Sequence, residues 1–578
     1  DLATGWVQAT ASMMNPQIRF GEDVMSRVSY VQMNADGQEA LTGAIRQAVA
    51  DLAREAAARA DIAAGEVLDL VVVGNPVMHH LFFGFDPRPL GTAPFALVTD
   101  GALTWSAADL NLPLHPGARV YALPCVAGHV GADTAAVILA EAPDQADQVT
   151  LIVDVGTNAE LVLGDRQRLL AASSPTGPAF EGAQISGGQR AAPGAIERVR
   201  IDRTSGLARF KVIGCPLWSD APGFAAATAG TGVTGICGSG IVEAIAEMYL
   251  AGLLTADGII DGRHAGRVTG IVAEGRTFSF RLNETVTITQ NDVRAIQLAK
   301  AALYAGARLL MDALAVTRVE RIVLAGAFGS QIDPLYAMVL GMLPDCDPAA
   351  MRAAGNAAGT GAVMALLDRH ARPAIETTVR RVEKIETAVA PAFQEHFVAA
   401  MAFPHGPDNF PRLAQAIDLP ATALNCHRRR WRLGWPTVAF FQARAMPQNI
   451  TKSVFDFIDE ANAATRQISI AEARDMHGRA DVIFIDIRDV REIAKSGRIA
   501  GARHVPRGML EFWIDPKSPY HKDFFAGDKT FVFYCAASWR SALAAKTAQD
   551  MGLAPVAHID GGFNAWTEAG GPVEAPRS

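Results

Sequence analysis

Cysteine is scarce and scattered. The 578 residues hold six, Cys125, Cys215, Cys237, Cys346, Cys426 and Cys535, and no two form a Cys-x-x-Cys pair. That spacing argues against a disulfide framework, a zinc knuckle or an iron–sulfur cluster built by this chain alone. It fits a reducing compartment, so a cytoplasmic protein is expected. No apolar run reaches the roughly 18 residues that a membrane span needs, and no secretory signal is visible. Positive charge is not in surplus either: the net charge is −8, which argues against a general nucleic-acid binder. There is no repeat of roughly 20–50 residues and no low-complexity stretch beyond Ala-rich helices. Methionine is missing from the first position. The chain opens on Asp1 in the middle of a strand–turn pattern, so its natural start is expected upstream. What remains is a folded α/β chain, long enough for three or four domains.

The sharpest chemical feature is FVFYCAASWRS, residues 531–541. An apolar strand from Phe531 to Tyr534 runs into Cys535, and Arg540 follows five residues later with small residues between. Such a loop turns successive main-chain amides toward one sulfur. A nest of that kind stabilises an anion, either a thiolate or the outer sulfur of a persulfide. The amides of Ala536, Ala537, Ser538, Trp539 and Ser541, the start of the following helix and Arg540 all favour the charge. Ser538 is also placed to donate a hydrogen bond. Trp539 is bulky and narrows the choice of donor. Cys535 and Arg540 are the catalytic candidates.

The first 400 residues alternate strands and helices. A helix is expected over 38–60, a strand and helix in VLDLVVVGNPVMHHLFFG (67–84), and a glycine-opened helix in GHVGADTAAVILA (128–140). TLIVDVGTNAELVLGDRQRLLAAS (150–173) is a hairpin about Gly156. Three glycine features recur where an ATP cleft needs them. Asp154 ends a buried strand and can hold Mg²⁺ through water, Gly156 lets amides approach phosphate, and Thr157 and Asn158 can donate hydrogen bonds. Gly238, Ser239 and Gly240 open a helix, a suitable place for phosphate or ribose. Gly326, Ala327, Phe328 and Gly329 follow the strand 321–324 and leave room for a flat adenine. Each feature alone is common structure; it is their order that suggests ATP and Mg²⁺ as cofactors.

Other residues have plainer readings. His79 and His80 read as core or turn histidines, and His129 is open between a hydrogen-bonding and a catalytic role. Cys125, Cys215 and Cys346 read as half-buried thiols, Cys237 as main-chain packing, and the Met13–Met14 pair as core. Residues 405–448 lack periodicity and carry prolines and the basic run His427 to Arg430, so they read as a linker. Met446 is a candidate start of a once separate protein, and 449–578 form a further unit.

The order of the glycine features resembles that of the acetate and sugar kinase, Hsp70 and actin superfamily. SMMNPQIRFGEDVMSRV (12–28), GNPVMHHLFFG (74–84), PCVAGHVGADT (124–134), SPTGPAFEGAQISGGQRAAPGAI (174–196), GICGSGIVEAIAEMYLAGL (235–253) and FQEHFVAAMAFPH (393–405) look like the ATP-dependent reductive activators of corrinoid proteins. The resemblance implies a two-lobed actin-like ATPase fold, with a first lobe over 1–148 and a second over 149–404. It implies electron transfer onto an inactive Co(II) corrinoid and a corrinoid protein as partner; Glu181, in PAFEGAQ, has a plain structural reading, with an approach to corrinoid or nucleotide as the lesser alternative. It further implies a parent with a 2Fe–2S ferredoxin domain and a first phosphate hairpin ahead of Asp1. The cluster cysteines are not in this sequence.

DVIFIDIRDV (481–490), RIAGARHVPRG (498–508) and HIDGGFNAW (558–566), together with the Cys535 loop, resemble the rhodanese family. The implied fold is a small doubly wound α/β domain with its site at the carboxyl ends of the strands. The implied chemistry is sulfur transfer through a Cys535 persulfide, from a small donor such as thiosulfate to a thiol acceptor. Asp486 and Arg488 read as a bracing pair and His504 as a rim residue. The loop from Cys535 to Arg540 has the length of sulfur-handling members; phosphatase relatives have one residue more. Three alternatives stay open: a non-catalytic corrinoid-protein docking module with a sulfur carrier, a sugar or acid kinase-like phosphotransferase, and two neighbouring genes joined together. A homodimer is also left open.

Overall fold

The structure is a computed structural model. It describes residues 1–578 apart from 22, 267, 269, 276, 330, 421–451, 453, 490, 491, 494, 495, 519 and 575–578. Cys426, the basic run from His427 and Met446 therefore lie outside the described residues. The chain divides into two compact units, Asp1–Pro436 and Thr437–Ser578. Among the described residues no helix is long and apolar enough to cross a membrane.

The first unit is organised on a six-stranded sheet. Its order is Met351–Gly355, Arg321–Ala325, Thr150–Val155, Ala159–Gly164, Leu169–Ser174, Val382–Lys384. The first three run parallel, and Thr150–Val155, Ala159–Gly164 and Leu169–Ser174 form an antiparallel meander. The central strand, TLIVDV, has no Gly or Pro and is apolar on both faces, as a sheet covered on both sides requires. Leu151 and Val153 face one core, and Ile152 faces the other with Val162, Ala171 and Val323. Helices Ala132–Glu141 and Ala357–Leu367 belong to this second core. Asn356 caps the latter by accepting from the Gly359 amide at 2.9 Å.

These two helices touch at Gly361, where a Cβ would run into the Ala136 carbonyl. Gly361→Val is expected to cost about 1–3 kcal/mol by overpacking. A calorimetric scan checks it: the unfolding midpoint of the first unit should fall, and an unchanged midpoint would mean that the crossing is looser than described.

Helix Gly238–Leu250 is buried along its whole length. It carries two acids four residues apart, Glu243 and Glu247, which accept the Val199 and Ile201 amides of strand Ala195–Ile201 at 3.0 and 3.1 Å. Arg198 and Arg200 pair with Glu243. The acids thus cap amides that would otherwise be buried without partners.

Residues ahead of the sheet form a smaller three-stranded sheet, Asp69–Val72, Arg119–Ala122 and Leu103–Ser106, with helices Gly37–Arg59 and Pro76–Phe83. His79 and His80 are buried on the latter, and burial pushes His79 down to about 4. Three expectations change. Cys125, Cys215 and Cys346 are fully buried rather than half-buried. Met13 and Met14 are exposed, at 46% and 68%, because they precede the turn Pro16–Phe20 in a stretch with no strand or helix of its own. The packed fold also runs past 404. Phe410 and Leu413 are buried around helix Pro411–Ala416, and Asp345 accepts the amides of Arg412 and Leu413.

The second unit holds a five-stranded parallel sheet in the order Arg466–Ile468, Val556–Ile559, Thr530–Tyr534, Val482–Asp486, Arg503–His504. Alternation along Thr530–Tyr534 sends Phe531 and Phe533 into one core, with Ala544 and Ala545 of helix Trp539–Asp550. Val532 and Tyr534 enter the other, with Phe563 and Trp566 of helix Gly562–Glu568.

Candidate functional site

Cys535 stands at the carboxyl end of the central strand of the second unit, buried, with residues 536–538 forming a bend before helix Trp539–Asp550. Two amides at the start of helix Gly562–Glu568 take up loop carbonyls: Phe563 N donates to Cys535 O at 2.7 Å and Asn564 N to Ala536 O at 3.1 Å. The carbonyls are thus turned away, and among the described residues the amides of Ala536, Ala537 and Ser538 donate to no protein acceptor. The Ser541 hydroxyl donates to Ser538 O at 2.8 Å, and its oxygen lies 3.6 Å from Cys535 Sγ. Ser538 is held at φ 79°, a left-handed conformation that costs a non-glycine residue about 1–3 kcal/mol. Its Oγ lies 3.5 Å from Nδ1 of the buried His558, whose ring burial holds it neutral. Trp539 is 58% exposed.

Arg540 is not left to the sulfur alone. Its Nη1 and Nη2 donate to Glu492 at 2.8 and 2.7 Å, and the Asp489 amide donates to the same carboxylate at 3.1 Å. The Arg540 hydrogen bonds pull Glu492 down to about 2, and the carboxylate in turn raises Arg540, with the nearby Cys535 sulfur as a smaller cause. Neither Glu492 nor His558 was marked by the sequence. Glu492 lies 48 residues from Arg540, and His558 sits in an otherwise apolar strand.

Asp486 and Arg488 form a buried pair, Nε to Oδ1 at 3.0 Å and Nη2 to Oδ2 at 2.7 Å. Arg488 also donates to Gly497 O and Ser496 Oγ, and its guanidinium lies 3.8 Å from the Phe563 ring centre. His504 Nε2 sits 2.8 Å from Arg488 O. These contacts brace the loop's floor; none reaches the sulfur.

In the first unit, Gly156, Thr157 and Asn158 form the turn of the sheet's central hairpin, and Thr157 and Asn158 are exposed. The Thr157 hydroxyl donates to Glu181 at 2.8 Å, and Thr176 Oγ1 donates to Gly156 O and Thr157 O. Asp154 meets Gly326, which has φ +81° and where a Cβ would overlap Asp154 Oδ1. Burial raises Asp154, pushes Asp133 up to about 6 and raises Glu160 well above its ordinary range, each carboxyl adding to the next. No salt bridge relieves them among the described residues. Among the described residues no cluster of three or more His, Cys, Asp or Glu is arranged to hold a metal directly.

Gly238, Ser239 and Gly240 behave otherwise. Ser239 donates to Glu197 O, the Cys237 thiol to Ile196 O, and Gly240 lies against Ile196. These are packing contacts with strand Ala195–Ile201, and the expected phosphate or ribose role finds no support in them. Gly329 is buried; the side chains of Ala327 and Phe328 lie outside the described part.

Comparison with known proteins follows the same division. Residues 148–414 match the family described as the C-terminal domain of RACo, the ASKHA domain; residues 1–145 match the RACo middle region; residues 469–569 match the rhodanese-like domain. The corrinoid activation enzyme RamQ of Eubacterium limosum is 34% identical over 418 residues, 70% of this chain and 67% of RamQ. The solved structure of a reductive activator for corrinoid, iron-sulfur protein is 32% identical with a TM-score of 0.61, covering 70% of this chain and 63% of that one. A sulfurtransferase of Allochromatium vinosum is 31% identical over 96 residues, 17% of this chain and 81% of that protein. The chain thus spans about two thirds of the length of its corrinoid-activating relatives. Over residues 1–145 and 148–414 the chain belongs to the RACo family of corrinoid activators, with its actin-like ASKHA fold, and over residues 469–569 it carries a rhodanese-like domain.

Proposed function

We propose that the first unit binds ATP with Mg²⁺ and serves in the reductive activation of a corrinoid protein, and that the second unit carries sulfur as a persulfide on Cys535. The observation that supports the nucleotide half is the meeting of Asp154 with Gly326 beside an exposed hairpin turn. Asp154 would hold the cation through water, the 156–158 turn would receive phosphate, and the glycine at 326 would leave the floor open. Bound ATP would supply the free energy for an uphill electron transfer to Co(II). Glu181 orients the Thr157 hydroxyl at the turn, and burial favours the neutral forms of Asp133 and Glu160.

Isothermal titration of the full chain tests this reading. ATP with Mg²⁺ should bind, and chelating the metal or introducing Asp154→Asn should weaken binding by about tenfold or more, the scale of one lost charge interaction. No heat and no thermal shift with the unaltered protein would sink the nucleotide reading.

In the second unit the Cys535 thiolate would attack the outer, sulfane sulfur of a donor. The bond inside the donor breaks, its leaving group departs with the electron pair, and a cysteine persulfide remains. An acceptor thiolate then attacks the outer sulfur and frees Cys535. The amides of 536–538, which have no protein acceptor among the described residues, and the Ser541 hydroxyl, 3.6 Å from Sγ, would serve the sulfur that carries the charge in both steps.

A further inference from the structure

We infer that the first unit has a second binding site, a recess beside strands Ala195–Ile201 and Ala208–Val212, and that it takes a planar organic anion. The ring of the ligand lies on Trp218, and its carboxylate or phosphate meets Arg200 and Arg209. The recess shares no lining residue with the 154–158 turn or with the Cys535 loop.

The two strands set like charges opposite each other. Arg200 faces Arg209 across the antiparallel pair, and Arg198 faces Lys211. Alternation puts all four on one face, and like charges in direct opposition destabilise a sheet. The fold relieves half of this. Glu243, whose side chain is 1% exposed, pairs with Arg198 and Arg200. Arg209 has only Asp220, at 3.7 Å with both side chains half exposed, and a pair of that kind contributes little. Two further acids border the recess and each is engaged. Asp202 accepts the Thr204 and Ser205 amides, and Glu247 accepts the Ile201 amide and the Tyr336 hydroxyl.

Trp218 is folded back onto this charge. The Ser219 amide donates to Phe210 O at 2.8 Å, and the Phe210 amide donates to Ser219 Oγ at 3.0 Å. The indole then lies 4.9 Å from the Arg209 guanidinium, 5.2 Å from Lys211 Nζ and 5.8 Å from the Arg200 guanidinium. Arg200 is held from behind: its Nη1 donates to Val199 O and to Glu243. Its Nε lies 3.9 Å from Glu247, beyond hydrogen-bond distance, and among the described residues Nη2 has no acceptor. The side chain is 32% exposed at the recess. A guanidinium clamped on one edge and open on the other is a preorganised oxyanion donor. The recess measures about 700 Å³, the size of a small-molecule site, and Leu207, Ala208 and Ile417 add apolar wall. A bare phosphate would leave the indole and that wall unused. An uncharged ring would leave the Arg200 donors unpaired. An anion carried on a flat ring uses both.

Isothermal titration of the full chain tests this with 2-naphthoate and 2-naphthyl phosphate as planar anions. Uncharged 2-naphthamide and inorganic phosphate are the ring-only and anion-only probes. The tighter of the two planar anions should bind at least about tenfold more tightly than either control, and which of them it is separates carboxylate from phosphate as the natural group. Trp218→Leu should weaken that binding about tenfold by removing the stacking face, and Arg209→Gln about fivefold by removing an exposed charge. The unfolding midpoint of each variant should stay near that of the unaltered protein; if Trp218→Leu lowers it, Arg209→Gln alone decides. Asp154→Asn should leave the binding unchanged. Failure of both planar anions to bind overturns the inference, as does an affinity unmoved by Arg209→Gln. Equal binding of 2-naphthamide would make the recess merely apolar, and equal binding of inorganic phosphate would mean an adventitious ion only. Loss of binding in Asp154→Asn would place the ligand in the nucleotide cleft. Each of these results also overturns it.

Discussion

Cys535→Ser should lower sulfur loading and turnover by about 10³-fold or more while leaving the fold in place. The nucleophile in this chemistry is the thiolate, and a serine hydroxyl at neutral pH is neither ionised nor able to keep a transferred sulfur as a persulfide. The substitution exchanges sulfur for oxygen at one buried position just past the end of a strand, so the sheet's pairing is kept and the change in the core beside it is a single atom. The unfolding midpoint should move little, which separates loss of chemistry from loss of structure. Sulfur-transfer turnover by the two proteins side by side is the measurement. Equal rates would mean that Cys535 is an inert core thiol and that any sulfur transfer occurs elsewhere. Ser541→Ala tests the same arrangement more gently, since it removes one hydroxyl from the sulfur and leaves the amides.

What the sequence told in advance depended on whether the cause was local. The Thr150–Val155 hairpin was legible because its alternation and its turn residues lie within a few positions of one another. The Cys535 loop was legible for the same reason: strand, cysteine and arginine fall within ten residues. Glu492 was not, because the partner that gives it meaning is 48 residues away and an isolated acid in a charged stretch carries no local mark. The glycines at 238 and 240 were ambiguous in the opposite sense. A glycine that lets a helix lie against a strand and one that admits a phosphate leave the same trace in sequence, and at Gly240 the structure adds a close approach to Ile196. Helix Pro411–Ala416 was hidden among prolines and polar residues. It holds because Leu413 is buried and Asp345 takes up its first amides, a tertiary cause with no periodic signature.

Asp486→Ala should destabilise the second unit by about 3–5 kcal/mol, the cost of leaving one member of a buried ion pair unmatched. The Arg488 side chain is 2% exposed, and Asp486 accepts three of its hydrogen bonds. Gly497 O and Ser496 Oγ remain as acceptors, but both are neutral and cannot replace the carboxylate. Set against the about 5–15 kcal/mol that hold a domain together, the loss is a large fraction, and the melting midpoint of this unit should fall by roughly 10–20 °C. The transition of the first unit should stay where it is, which a two-transition scan of the full chain resolves. Asp486→Leu combined with Arg488→Met should recover much of the loss, since a well-packed apolar pair often replaces a buried ion pair at little cost. The pair also reaches the chemistry indirectly. Asp486 lies opposite Tyr534 in the sheet, one residue before the sulfur, and Arg488 stacks on Phe563, whose amide holds the Cys535 carbonyl. A loop that needs its carbonyls turned away to free its amides depends on that stack. Asp486→Ala should therefore lower sulfur loading even well below its own melting temperature, whereas the apolar double substitution should restore stability more fully than loading, because it rebuilds the packing without the guanidinium that orders the ring.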